Sequence, residues 1–144
     1  MAKNPRNISG EDGQKWVRDL CNANGVHFYE AKPGKKEIDF EIWFSNKDII
    51  YLEVSNQNGQ GSTDEKIPHK VYKYWKKLRY NEVYNLMGLW DIRKKNPSIV
   101  DLCKTFKFKT HFIMREDLIK LFEKKIGKEI IVPEVSMGQF KIWT

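Results

Sequence analysis

Two acidic residues interrupt short apolar runs in this chain: Asp39 in Ile38-Asp39-Phe40 and Glu53 in Leu52-Glu53-Val54-Ser55. Carboxylates that project the same way from neighbouring strands can share one divalent cation. Such an ion neutralises charge developing on a phosphodiester and lowers the pKa of a bound water. Magnesium suits a pair of this kind, since it is held by one or two carboxylates and keeps several waters. Two solvated strand acids are the alternative reading of the same spacing.

The elements that would position these acids are legible from periodicity. After the turn signal Lys32-Pro33-Gly34-Lys35, residues Glu37–Phe44 alternate strictly. Ile38, Phe40, Ile42 and Phe44 face one way; Glu37, Asp39, Glu41 and Trp43 face the other. Asn46-Lys47-Asp48 makes a hairpin turn into a strand Ile49–Ser55, with Ile50, Leu52 and Val54 opposed to Tyr51, Glu53 and Ser55. Upstream, residues 1–9 read as a loose arm, and Ser9 caps a helix to about Asn22 whose apolar face is Trp16, Val17, Leu20 and Cys21. A short strand Val26–Tyr29 follows Asn24-Gly25.

Downstream, Asn56–Glu65 is a loop by composition, and Pro68 argues for a helix that begins near Ile67, or for a short turn ahead of it. That helix runs to about Arg79, with Ile67, Val71, Tyr74, Trp75 and Leu78 as its core stripe and Lys66, Lys70, Lys73 and Lys77 on another face. Residues 81–105 are ambiguous: Glu82–Asp91 reads as a helix or a buried strand, and Asn96-Pro97-Ser98 opens a short helix. Lys104–Lys109 alternates Lys with Phe like a strand. Lys109–Met114 reads as a strand and Arg115–Lys125 as a helix stopped by Gly127, and the tail from Ile130 to Trp143 supplies one or two edge strands.

These elements sum to a single α/β domain over residues 1–144, with its core at about 9–127 and a mixed β-sheet flanked by helices. The apolar fraction of 40% and aromatic fraction of 13% support a packed core. A net charge of +7 favours polyanionic partners, through release of counterions condensed on phosphates, although a merely solvated basic surface has the same composition. The lysine stripe and the cluster Arg93-Lys94-Lys95 are candidate phosphate contacts; solvated helix faces are the plain alternative. Cys21 and Cys103 read as two reduced thiols. No zinc-ligand spacing joins His27, His69 and His111, no P-loop follows Gly59 and Gly61, and no run approaches the ~18 apolar residues of a membrane span. The expectation is a cytoplasmic protein that uses neither ATP nor a membrane.

The order helix, strand, strand with Asp39, strand with Glu53, helix resembles the PD-(D/E)XK nuclease superfamily over roughly Ser9 to Arg79. The segment Gly61-Ser62-Thr63-Asp64-Glu65-Lys66-Ile67-Pro68-His69-Lys70 is similar to one that follows the acidic strand in some type II restriction endonucleases. The resemblance implies a restriction-endonuclease-like fold and Mg²⁺-dependent hydrolysis of DNA, with Mn²⁺ able to substitute. Asp39 and Glu53 would hold the metal, and Glu11 or Gln14 would assist from the first helix. Lys66, His69, Lys70, Lys73 and Lys77 would contact double-stranded DNA. A homodimer would match the two-fold symmetry of a palindromic site. A nicking, junction-resolving or homing nuclease shares these features.

Ser55 departs from the family, which carries Lys at that position. Serine can hydrogen-bond a water but brings no charge. Either Lys66, Lys70 or Gln57 substitutes, or a second metal ion does, or the chain is a DNA-binding protein with an impaired nuclease fold.

Overall fold

The computed structural model describes residues 5–32, 38–55, 63–76, 80–87, 91–106 and 109–133, without the side chains of 5–12, 63–66, 75 and 76. The elements are α1 (Pro5–Ala23), β1 (His27–Glu30), β2 (Phe40–Ser45), β3 (Asp48–Val54), α2 (Thr63–Lys76), β4 (Glu82–Leu86), α3 (Ile92–Lys95), α4 (Pro97–Lys104), β5 (Lys109–Ile113) and α5 (Arg115–Ile126). The fold is mixed α/β. Its strands lie in the order β1-β2-β3-β4-β5, with β2 antiparallel to β1 and β3, and β3, β4 and β5 mutually parallel.

Chain connectivity explains this arrangement. Asn46 and Lys47 close a tight turn between β2 and β3, which an antiparallel pair allows. Parallel neighbours need a crossover, and α2 and then α3–α4 supply it. Right-handed crossovers stepping in one direction leave their helices on one face of the sheet. Ile67 and Val71 of α2 and Val100 and Cys103 of α4 accordingly share a buried cluster with Phe112. The other face carries the main core, where Trp16, Val17, Leu20 and Cys21 of α1 and Leu118 and Phe122 of α5 pack on Phe40, Ile42, Ile50, Leu52 and Leu86. Among the described residues no helix is long and apolar enough to cross a membrane.

Several expectations need correction. Helix α1 begins at Pro5 rather than at a Ser9 cap; proline tolerates a first helical turn because no partner is needed there for its missing N–H. Helix α2 begins at Thr63 and carries Pro68 inside. The lost hydrogen bond falls near the helix start, and burial of Ile67 and Val71 on either side of Pro68 holds the segment in place. The 81–105 ambiguity resolves to strand β4, which is buried on both faces through Val83 and Leu86 and so shows no clean period. Lys104 ends helix α4 instead of opening an alternating strand, and Thr105 Oγ1 donates to the Leu102 carbonyl at 2.6 Å.

Ile38 precedes β2 and packs with Tyr74 and Val83, on the face opposite Phe40. Residues 130–133 form no strand; they are tied to α1 by Ile131 N–H to Asn24 Oδ1 (2.8 Å) and Trp16 Nε1–H to the Pro133 carbonyl (3.2 Å). The remainder of the expected tail strands lies outside the described residues.

Phe122 is fully buried and meets the Phe44 ring edge-on, with centroids 4.9 Å apart. Phe122→Ala is expected to cost about 3–5 kcal/mol in urea denaturation. The exposed Lys124→Ala should stay within about 0.5 kcal/mol of the parent.

Candidate metal centre

Register brings the two acids together. Phe40 stands opposite Leu52 and both enter the main core, so one position further along Asp39 faces Glu53 on the α2 side of the sheet. Val54 N–H donates to Asp39 Oδ2 at 2.9 Å, which holds that carboxylate against the neighbouring strand. Glu53 is 8% exposed, shares a side-chain hydrogen bond with Asp39, and accepts the Tyr74 hydroxyl on Oε2. Tyr74 lies on α2, so the helix that covers β3 also fixes the deeper of the two acids.

This setting governs protonation. Burial, and after it the hydrogen bond and charge of Asp39, push the Glu53 carboxyl up to about 9; the Lys70 ammonium and the Asp39 backbone N–H act the other way. Two carboxyl groups this close resist joint ionisation, so the pair keeps a proton near neutrality. A divalent cation meets the same demand for positive charge. The donor set is hard oxygen from two carboxylates, which suits magnesium or manganese better than zinc. Among the described residues no group of three or more His, Cys, Asp or Glu side chains converges. The pair also sits near the C-terminal end of β3.

Lys70 is exposed one helical turn before Tyr74, close enough for its charge to act on Glu53. Ser55 is half-buried two residues beyond Glu53, and its N–H extends the β3–β4 ladder to the Leu86 carbonyl at 2.9 Å. His69 is exposed on α2 and Lys73 half-exposed. Gln14 is half-buried on α1, the helix packed on the opposite face of the sheet. Gln57 and Lys77, and the side chains of Glu11 and Lys66, lie outside the described residues.

Arg93 is engaged elsewhere, with Asp91 at 2.9 Å and Asp117 at 3.1 Å. Both cysteines are free and buried, as expected.

Two residues at the site escaped the sequence reading. Periodicity places Tyr74 in the core stripe of α2, and a buried tyrosine needs a partner for its hydroxyl, which is the signal the sequence offers. Asn85 stands beside Glu53 in the β3–β4 register, buried, and its Nδ2 donates to Thr110 Oγ1 (3.0 Å) and the His111 carbonyl (2.9 Å). Its signal was a polar residue within the apolar run Val83–Met87.

No family model, no curated protein and no solved structure matches this chain.

The raised Glu53 carboxyl makes stability depend on pH. Between its ordinary value of 4.5 and about 9 the folded state binds more proton than the unfolded state. Its contribution is therefore full below that window and is lost as pH rises through it. Glu53→Gln, which cannot ionise, should flatten this fall, raising Tm relative to the parent at pH 8 more than at pH 5. Equal pH dependence of the two proteins in metal-free thermal melts would refute the burial argument.

Proposed function

We propose that this chain is a divalent-cation-dependent DNA endonuclease of the PD-(D/E)XK type, hydrolysing phosphodiester bonds. The observation that carries the reading is the convergence of Asp39 and Glu53 from adjacent strands. Further support is the succession of α1, β1, β2 next to Asp39, β3 with Glu53, and α2, which is the order behind the resemblance. The restriction-endonuclease-like form of the fold, a double-stranded DNA substrate and a homodimer belong to the same proposal.

A magnesium or manganese ion held by Asp39 and Glu53 would neutralise charge at the phosphate and acidify water. The chain's own groups do the remainder. Val54 N–H orients Asp39, and Tyr74 orients Glu53. Lys70 fills the role left open at Ser55, bringing an ammonium to the pair from α2 rather than from β3. His69 and Lys73, with Lys66 and Lys77 from the sequence stripe, offer phosphate contacts on that helix.

A DNA-binding protein with an impaired site is the second reading, favoured by Ser55. Cleavage of long duplex DNA in Mg²⁺, Mn²⁺ and EDTA separates the two.

Asp39→Asn should lower cleavage at least about a hundredfold, the scale of losing charge stabilisation worth several kcal/mol, while the fold and DNA affinity persist. Lys70→Ala should lower it about ten- to hundredfold, and Ser55→Lys should restore part of the loss. Undiminished cutting by Asp39→Asn would end the assignment. DNA binding without cutting in any metal would favour the second reading.

A further inference from the structure

The sheet face that bears the carboxylate pair is covered unequally. Over β3 and β4 it is closed by α2, where Tyr74 packs with Ile38, Val83, Tyr51 and Tyr80. Neither buried cluster of that face, among the described residues, draws a side chain from β1 or β2. Cross-strand register sets Tyr29 beside Glu41 and His27 beside Trp43, and Glu41 and Trp43 alternate with the core residues Phe40 and Ile42, so all four lie on the carboxylate side. Tyr29 is 48% exposed and His27 is exposed, while Glu41 and Trp43 are half-buried. The Trp43 indole is held by its Nε1–H to Glu41 Oε1 at 2.9 Å and by an edge contact with His27 at 6.1 Å between centroids.

We propose that this open half of the sheet is a stacking platform for unpaired nucleic-acid bases, with Tyr29 and Trp43 as its rings, directly beside the Asp39–Glu53 pair. The inference rests on the nuclease reading and narrows its substrate to DNA with unstacked bases next to the cut. Tyr29 lies one residue pair along the strand from the acids, about 6.8 Å, and two strands from Glu53, roughly 9.5 Å. That span is on the scale of a nucleotide or two. The charges divide accordingly. Glu41 between the rings repels phosphate but can accept from exocyclic base amines, whereas the exposed Lys70 and half-exposed Lys73 of α2 offer the cations a backbone needs. A regular duplex keeps its base faces stacked inside and has none to lay on such a surface; a splayed strand has them all.

The test is binding of the full chain in EDTA to a labelled single-stranded oligonucleotide and to a blunt duplex, by anisotropy and by tryptophan quenching. Tyr29→Ala and Trp43→Leu should each weaken single-strand binding about 5- to 150-fold, the scale of one stacked base, and change duplex binding less than about twofold. Abasic sites in the oligonucleotide should reproduce the loss with the unaltered protein, which keeps the test decisive if Trp43→Leu fails to fold.

Unchanged single-strand affinity in Tyr29→Ala together with no effect of abasic sites overturns the platform. So does an equal loss for duplex. A change in sedimentation without a change in nucleic-acid binding overturns it too, by marking the face as a contact between copies of this chain. Asp39→Asn should leave single-strand binding intact. Stacking without any metal-dependent cutting would therefore remove the nuclease reading and keep the platform, and cutting without stacking would do the reverse.

Discussion

Like charges on facing strands repel, and the repulsion is largest where water is excluded. Asp39 and Glu53 are held in that relation by the β2–β3 register, and the remainder of the site follows from relieving it. A proton relieves it in one way and a cation in another. Around the pair, the Tyr74 hydroxyl and two backbone N–H groups serve the oxygens, and Lys70 brings positive charge from the solvent side. A slip of one residue in that register would turn one strand over relative to the other, sending its acid toward the main core and separating the pair.

The two faces of the sheet have accordingly taken different compositions. On the α1/α5 face one continuous apolar cluster spans the strands from Phe40 to Leu86. On the other face the apolar material is split into two smaller clusters, and the buried polar pair Glu53 and Asn85 stands in the sheet beneath the helices. Asn85 is satisfied by β5, so the polar row is tied into the structure strand by strand. Buried polar groups of this kind cost free energy unless every one is paired. They stand near the C-terminal end of β3, beneath α2.

Helix α2 links core and chemistry. Ile67 and Val71 anchor it, Tyr74 reaches the acid, and Lys70 stands a turn earlier on its exposed surface. At position 55 the backbone N–H extends the sheet to Leu86.

Much of this was legible in the residues themselves. The alternation through β2 and β3 assigned Asp39 and Glu53 to one side, because a strand has a period of two and no other element does. The start and stop of α5 were marked by Arg115-Glu116-Asp117 and by Gly127, whose φ of 83° suits glycine. Tertiary structure decided what local pattern cannot carry. Strand β4 is covered on both faces and so lost its period, and Pro68 was absorbed into α2 by the burial of its neighbours. Ile38 left the alternation to fill space under Tyr74. Pairing Glu53 with Tyr74, and bringing Lys70 toward it, needed two elements separated by a loop to meet; contact between such elements is set by packing across the whole sheet, not by the spacing of residues along the chain.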